Sequence, residues 1–503
     1  MIVAPSSLSL ILRDDAATQQ LGEDLALAVK PGDCLALIGD LGAGKSTLAR
    51  ALLRALADDS ELEVPSPTFT LVQSYDLRIP AAHFDLYRLG DSSELDELGF
   101  DEALESGICL VEWPERAEDR LPKDAISIAY TFTPDGGRHL TITGPETKLS
   151  RIQRSLSIRD FLDRHGLAGA TRQYLTGDAS TRAYETISAP DKLPLILMDA
   201  PRRPNGPPIR DGKPYSQIVH LAEDVYPFVA IADALRAQGL AAPAIFERAL
   251  DQGILLIENL GRDGVLDGTG APIAERYHAA VACLAHIHAL DFPRDIKVTE
   301  THTHRIPDFD RVAMKMEAEL LIDWHIPWAL KREATAQERS DYLAIWDGLI
   351  DELASAEKSL VMRDFHSPNI IWRADKSGFD RVGLIDFQDA MIGPSAYDLA
   401  SIAQDARVTI ARPLMDSLIV SYLSARHASG GFDEATFRRD FAIMAAQRNC
   451  KLAGLWFRLL KRDGKPGYMQ HMPRTLTYLS IAFEHEALAP LKDWCAKLGL
   501  LTQ

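Results

Sequence analysis

Between Cys34 and Leu56 the order of residues admits few folds. Cys34–Ile38 (CLALI) is an unbroken apolar run after Pro31-Gly32-Asp33, the pattern of a buried strand. Gly39-Asp40-Leu41-Gly42-Ala43-Gly44-Lys45-Ser46-Thr47 follows, and Leu48–Leu56 has helical spacing. This is G-x4-G-K-S in the strand–loop–helix setting that the motif requires. Its glycines let backbone N–H groups curl round phosphate oxygens, and the helix N-terminus adds a favourable dipole. The pattern assigns Lys45 to the outer phosphates and Ser46 to Mg²⁺. Such a loop also needs a carboxylate near the ion. Asp85 in HFDLYRL and Glu112 in ICLVEWPE are the candidates. Glu112 has the better context, because a buried strand delivers it to the sheet edge where the loop lies.

A second constrained stretch is Val361–Asp398, VMRDFHSPNIIWRADKSGFDRVGLIDFQDAMIGPSAYD. Asn369–Trp372 and Val382–Phe387 are short apolar runs around the polar turn Asp375–Gly378, a β-hairpin pattern. Asp364 and Asn369 precede the first strand and Asp386 closes the second. Asp364 and Asn369 are five residues apart, close to the spacing of a kinase catalytic loop, and IDFQD stands where a kinase has its metal-binding Asp. Phosphoryl transfer to an alcohol needs these types: a carboxylate to orient and deprotonate the hydroxyl, an Asn and a second Asp to hold Mg²⁺ on the phosphates.

At 503 residues the chain exceeds one ordinary core, so two or three domains are expected. No run of about 18 uncharged apolar residues occurs, so no membrane span is expected. The start, MIVAPSSLSLILRDD, lacks a basic segment, which argues against a signal peptide. The five cysteines are scattered singly, without CxxC or Cys/His clusters, which fits a reducing cytoplasm. Residues 1–150 hold 12 Lys/Arg against 26 Asp/Glu, −14 of the total −18. So acidic a domain is a poor candidate for gripping nucleic acid through a broad basic face.

GDLGAGKST, VPSPTFTLV (Val64–Val72), HFDLYRL and VEWPE, in that order, make the first 150 residues resemble TsaE. That family is the small ATPase subunit of the bacterial machinery that makes threonylcarbamoyladenosine beside the tRNA anticodon. The resemblance implies that Asp40, Gly42, Ala43, Gly44, Lys45, Ser46 and Thr47 hold ATP, and that Ser46 and Glu112 ligate Mg²⁺. It sets Thr18 beside the nucleotide base, Thr68 and Thr70 in a switch-like loop, and Trp113 beside the site. The partners it implies are TsaD and TsaB, with tRNA engaged indirectly through the complex.

Gly144-Pro145-Glu146-Thr147 breaks the last apolar strand, and Arg151–His165 has helical spacing, so the boundary is expected near residue 148, giving domains 1–148 and 149–503. Gln173–Thr176, Gly177-Asp178-Ala179-Ser180 and Arg182–Ile187 read as strand–turn–strand over phosphates. Leu193–Met198 reads as a third strand; a kinase expects Lys at its end, and this chain has Met198. Lys192 and Arg182 are the nearby cations. Ile254–Leu260 reads as a strand and hinge, where backbone groups of Glu258 to Leu260 face adenine. His286 and His288 are an i, i+2 pair on different sides of a helix, which argues against a metal site. In the helix Phe441–Arg462, Arg448, Lys451, Arg458 and Arg462 lie near one face; such a stripe is usually solvated, and the sharper reading is recognition of an anionic substrate.

LTGDASTRAYE, LILMDAP, VMRDFHSPNIIW, LIDFQDA, GPSAYDLAS and AAQRNCKLAGLWFRL resemble the aminoglycoside phosphotransferase family, and within it the AmgK branch. Those are anomeric sugar kinases of cell-wall recycling, acting on N-acetylmuramate and N-acetylglucosamine. The resemblance implies Asp364 as base, Asn369 and Asp386 as Mg²⁺ ligands and Glu258–Leu260 as hinge. The expected architecture is an α/β P-loop NTPase domain followed by a bilobal α+β protein-kinase-like domain, both using ATP and Mg²⁺. Two alternatives stay open for the second domain: another small alcohol as acceptor, or a non-catalytic nucleotide-binding regulator of the ATPase.

Overall fold

The structure is a computed structural model, and it describes residues 7–117, 119–175, 182–202, 204–430 and 432–500. The chain divides into two compact units, residues 1–199 and 200–503.

In the first unit a seven-stranded sheet runs β1 (Ser7–Leu12), β7 (Arg138–Thr143), β6 (Ile126–Phe132), β2 (Cys34–Ile38), β5 (Ile108–Glu112), β4 (Ala81–Asp85), β3 (Val72–Tyr75). β2 is central and parallel to both β5 and β6, which explains why CLALI is apolar on both faces. Its helices are α1 (Asp15–Ala28), α2 (Lys45–Ala57), α3 (Glu94–Glu97), α4 (Phe100–Ser106) and α5 (Glu146–Arg164). Leu21 and Leu25 of α1 and Leu48 and Leu52 of α2 share a core with Leu35 and Leu37 of β2. Phe84, Phe100, Cys109 and Val111 belong to a second core. Gly22 is required where α1 meets α2, since a Cβ there would lie 2.4 Å from that of Ala51.

The break expected at Gly144–Thr147 is shorter in the structure. Pro145 precedes the first helical residue, and α5 runs unbroken from Glu146 across residue 148. Beyond α5 come β8 (Thr171–Leu175), β9 (Ala183–Ser188) and β10 (Leu195–Asp199), in antiparallel register. The compact first unit thus extends to Asp199. Residues 177–180, the expected phosphate-covering turn, lie outside the described residues.

The second unit opens with α6 (Tyr215–Ile218), α7 (Tyr226–Ala237), the hairpin β11 (Ile245–Ala249) and β12 (Ile254–Glu258), and α8 (Ala274–Ile287). A small hairpin, β13 (Asp295–Lys297) and β14 (Thr303–Arg305), leads to α9 (Arg311–Leu320), α10 (Ile326–Leu330) and α11 (Ala336–Glu352). Next come β15 (Lys358–Val361), β16 (Ile370–Trp372), β17 (Val382–Leu384) and β18 (Met391–Pro394). β16 pairs with β17 as the expected hairpin, and β15 pairs with β18. The rest is helical: α12 (Ala396–Ala403), α13 (Arg412–Ala428), α14 (Glu434–Asp463), α15 (Met472–Ala482) and α16 (Ala489–Lys497). α14 packs against α9, α12 and α15. Its approach to α9 is closed by Gly454, where a Cβ would meet the Leu320 carbonyl at 1.9 Å.

Candidate functional site

The first site forms where β2 and β5 end side by side. Glu112 of β5 stands opposite Leu37 of β2 on one side and Asp85 of β4 on the other. Ser46, at the second position of α2, donates from its hydroxyl to Glu112 Oε2 at 2.9 Å. His83 Nε2 donates to the other oxygen, Glu112 Oε1, at 2.9 Å, and both side chains are buried. Asp85 serves a different segment, since its Oδ2 accepts from Ser66 (3.0 Å) and Thr68 (2.6 Å) within residues 64–72.

The loop between β2 and α2 wraps Lys45. Its Nζ donates to the carbonyls of Gly39 (2.6 Å) and Asp40 (3.0 Å) and stands 3.9 Å from the Trp113 ring centroid. Burial lowers the Lys45 pKa, while Glu112, Glu115, Asp85 and Asp40 pull it up. Gly42 and Gly44 take φ of +81° and +108°, the left-handed region a side chain disfavours. Arg138 of β7 donates from Nε to the Ala43 carbonyl at 2.8 Å and pins the loop from the far side. No side chain caps α2, so its first N–H groups, near Ser46 and Thr47, stay available to an anion. Thr18 is buried in the first turn of α1, where its hydroxyl donates to the Asp14 carbonyl at 3.2 Å.

The second site forms on the loop after β15. Asp398 of α12, fully buried, braces that loop: its carboxylate accepts from the backbone N–H of Met362 (2.6 Å) and Arg363 (2.9 Å). Asn369 Nδ2 donates to the Asp364 carbonyl at 2.8 Å and approaches Asp386 Oδ2 at 3.4 Å. Gln388 Nε2 donates to Asp386 Oδ1 at 2.9 Å. The β16–β17 hairpin therefore brings the amide, the second acid and the Asp364 loop together.

Asp364 lines a cavity of about 200 Å³ with Arg363, Tyr397, Arg448, Lys451 and Arg458. Burial raises its carboxyl, but Lys451, His366, Arg363 and Arg448 outweigh burial and hold it below its ordinary value. The ionised form, which a base needs, is thereby favoured. Glu317 of α9, fully buried, also lines this cavity. Its Oε1 accepts from Lys451 at 2.8 Å and from Arg363, and its Oε2 accepts from Gln447 Nε2 at 3.1 Å. Burial again opposes ionisation; Arg363 and Lys451 prevail and lower the Glu317 pKa to about 2. At the expected hinge, the Glu258 N–H donates to the Ala244 carbonyl (2.8 Å), and its carboxylate accepts from the Ala244 N–H (3.1 Å) and from Arg373 (3.3 Å). Leu260 is buried two residues on.

Residues 12–140 match the family model for Threonylcarbamoyl adenosine biosynthesis protein TsaE, and residues 171–438 match that of the Phosphotransferase enzyme family. The N-acetylmuramate/N-acetylglucosamine kinase of Caulobacter vibrioides is 31% identical over 352 residues, which covers 68% of this chain and 96% of that protein. The tRNA threonylcarbamoyladenosine biosynthesis protein TsaE of Bacillus subtilis is 37% identical over 145 residues, 28% of this chain and 89% of that protein. Its counterpart in Rickettsia felis is 38% identical over 177 residues, 35% of this chain and 99% of that protein. The chain belongs to both families. It is a P-loop ATPase of the TsaE family fused to a protein-kinase-like phosphotransferase with an alcohol group as acceptor. α5 falls between the two matched spans.

In the phosphotransferase part, Met198, at the position where a kinase expects Lys, is fully buried in β10 opposite Tyr184. Lys192 is exposed and donates to the Gly166 carbonyl at 3.2 Å. His288 is a core residue: its Nδ1 is 2.7 Å from the Tyr422 hydroxyl and its Nε2 is 3.8 Å from Asp398. His286 stacks on Phe379. Among the described residues no group of three or more His, Cys, Asp or Glu is gathered as a metal cage. No helix among them is long and apolar enough to cross a membrane. Sequence reasoning missed the parts His83 and Glu317 play. His83 sits in the HFDLYRL motif, two residues before Asp85; Glu317 carried no local signal.

Proposed function

We propose that the TsaE-family part, residues 1–148, hydrolyses ATP in the service of tRNA threonylcarbamoyladenosine formation, and that residues 149–503 phosphorylate the anomeric hydroxyl of N-acetylmuramate or N-acetylglucosamine. The observation that carries the kinase reading is the meeting of Asn369 with Asp386 above the loop that bears Asp364. In this reading Asp364 accepts the proton of the sugar C1 hydroxyl. That oxygen bonds to the γ-phosphorus of ATP as the bond from this phosphorus to the β–γ bridging oxygen breaks, and ADP leaves. Backbone groups between Glu258 and Leu260 receive the adenine.

Both sites offer hard oxygen donors, a hydroxyl beside a carboxylate in one and a side-chain amide beside a carboxylate in the other, a set that would suit Mg²⁺. Ser46 and Glu112 hold the ion of the first site, and Asn369 and Asp386 those of the second. When bound, the ions neutralise phosphate charge. In the ATPase, Asp40 to Thr47 cradle the phosphates, Lys45 meets the outer ones and Thr18 lies toward the base. TsaD and TsaB are its partners, and tRNA is engaged through them; the −14 charge of residues 1–150 supports indirect engagement. Five buried, unpaired cysteines support a reducing, cytoplasmic setting, and the sugar chemistry supports a role in cell-wall recycling.

The test is single-turnover transfer from labelled ATP to a panel of sugars by the full chain and by Asp364→Asn. The wild type labels an amino sugar at its anomeric position and the variant falls by several orders of magnitude. An Asp364→Asn chain working at the wild-type rate contradicts the assignment. For the first site, Lys45→Ala in the intact chain assembled with TsaD and TsaB abolishes partner-stimulated ATP hydrolysis; unchanged hydrolysis contradicts that assignment.

A further inference from the structure

The cavity at Asp364 carries more positive charge than its own acids answer. Arg363, Arg448, Lys451 and Arg458 line it, against the carboxylates Glu317 and Asp364. Glu317 is paired twice over, with Arg363 and Lys451. Arg448 and Arg458 remain. Arg448 is only 4% exposed, and its Nη1 has no hydrogen-bond partner among the described residues. The Nε of Arg458 is buried and likewise unpartnered there, and its guanidinium lies 4.8 Å from the Tyr215 ring centroid. A buried guanidinium N–H without an acceptor is costly, so two of them lining one cavity call for an acceptor that enters from outside. The planar fork of Arg suits a carboxylate, which it can hold through two parallel N–H···O bonds.

The backbone explains why both reach the same space. Residues 448, 451, 455 and 458 are three and four apart on α14 and so share one face. Leu455 lies between the cations on that face and also lines the cavity, which gives apolar surface for a ring to rest on.

We infer that Arg448 and Arg458 form an anion subsite that receives a carboxylate borne by the sugar, so that the enzyme selects N-acetylmuramate over N-acetylglucosamine. The inference rests on the sugar-kinase reading. N-acetylmuramate differs from the neutral sugar by a lactyl ether that ends in a carboxylate; N-acetylglucosamine leaves both guanidinium groups unanswered. The unanswered donors give the discrimination a physical source, because a site built to pair with a polar group rejects the analogue that lacks it. Arg448 also bears on Asp364 electrostatically. A role on the transferring phosphoryl group would therefore slow turnover of every acceptor alike, whereas a subsite acts on the acid alone.

The experiment measures kcat and KM of the full chain for N-acetylmuramate, its carboxyl methyl ester and N-acetylglucosamine. The wild type is expected to prefer the acid to its ester by at least tenfold in kcat/KM, a difference that arises mainly in KM and shrinks as salt is raised. R448Q and R458Q are expected to lower the ratio of kcat/KM for acid over neutral sugar at least tenfold, and R448K to restore part of it. The ester comparison needs no variant and decides the matter even if a variant fails to fold. Equal use of acid and ester overturns the inference, as does an unchanged ratio in both Gln variants or a fall shared equally by both sugars. A wild type that phosphorylates neither sugar overturns the kinase reading itself, an outcome distinct from these.

Discussion

Arg172 offers the sharpest test of how the first unit is held together. It lies in β8, inside the span matched to the phosphotransferase family, and its side chain is wholly buried. Its Nε and Nη2 donate to the two oxygens of Glu185 in β9, both at 2.8 Å. Its Nη1 donates to Asp24 of α1 at 2.7 Å and to the Ser155 carbonyl of α5 at 2.9 Å. Arg159 of α5 meets the same Asp24 at 3.1 Å. One guanidinium thus ties a helix of the TsaE-family part to the first strands of the phosphotransferase part. Burial lowers its pKa, but Glu185 and Asp24 outweigh burial and raise it, so it stays charged.

Arg172→Met keeps most of the apolar stem and removes every one of these donors. Glu185 is then left with an uncompensated buried charge, while Asp24 keeps Arg159, and breaking such a buried pair costs about 3–5 kcal/mol. Each ~1.4 kcal/mol is a factor of ten in an opening equilibrium, so amide exchange in α1 and in β8 should quicken by roughly two to three and a half orders of magnitude. Arg172→Met with Glu185→Leu removes both halves of the main pair, and most of that loss should return, since an apolar replacement of a buried pair is often neutral or better. Hydrogen exchange read by mass spectrometry on the intact chain gives both segments at once. A change of less than tenfold in the exchange of Asp15–Ala28 and Thr171–Leu175 refutes this role for Arg172, as does a double variant no better than the single one.

Three further outcomes are expected. His83→Phe strips one of the two donors from Glu112, a charge-assisted bond of about 1.5–3 kcal/mol, so partner-stimulated ATP turnover should fall ten- to a hundredfold and partly recover in His83→Gln; wild-type turnover in His83→Phe counts against a positioning role. Glu317, with its pKa lowered from 4.5 to about 2, adds stability that is complete above pH 4.5 and is lost as pH falls toward 2. That contribution is roughly 3 kcal/mol, so urea midpoints of the wild type should drop over that window and those of Glu317→Gln should drop less; parallel pH profiles refute it. Gly454→Ala pushes a methyl against the Leu320 carbonyl and forces α14 away from α9, so the melting temperature of the second unit should fall by the equivalent of about 3 kcal/mol; an unchanged melting temperature shows the close approach to be slack.

What the sequence disclosed was local. The P-loop could be read because a strand, a loop and a helix adjacent in the chain make it, and the β16–β17 hairpin for the same reason. As the acid that ends a buried apolar strand, Glu112 is the better candidate than Asp85, and the structure sets the two side by side with Ser46 on Glu112 and with Ser66 and Thr68 on Asp85. His83 was invisible as a partner of Glu112 because they are 29 residues apart and meet only through the β4–β5 register. The network of Asp24, Arg159 and Arg172 joins residues more than 130 positions apart, which no local pattern encodes, and it draws α5 into the first unit where Gly144-Pro145 suggested a break. Of the stripe Arg448, Lys451, Arg458 and Arg462, whose spacing is that of a solvated face, the first three line the cavity and Arg462 pairs with Asp463 instead. α14 is buried on nearly every side from Ala442 to Phe457, with Gln447, Arg448 and Asn449 among the buried residues, so charges within it have to be answered inside the protein.

The two candidate sites, on unrelated folds, share one backbone device. Trp113, Arg363 and Asp386 take φ of +57°, +73° and +60°, a conformation that costs a side-chain-bearing residue about 1–3 kcal/mol. Trp113 directly follows Glu112, Arg363 directly precedes Asp364, and Asp386 is itself a proposed ligand. Each kink comes just past a strand end, at Glu112, Val361 and Leu384, and turns the chain out of its ladder so that the acid's oxygens face the site. Such strain persists only where neighbours over-determine it, and they do. Trp113 lies against Lys45 and Tyr87, the Arg363 N–H is held by Asp398 and its guanidinium by Glu317 and the Val219 carbonyl, and the Asp386 carboxylate is held by Asn369 and Gln388. The supports and the catalytic candidates are largely the same residues, so loosening a support should misplace the acid before it unfolds the chain.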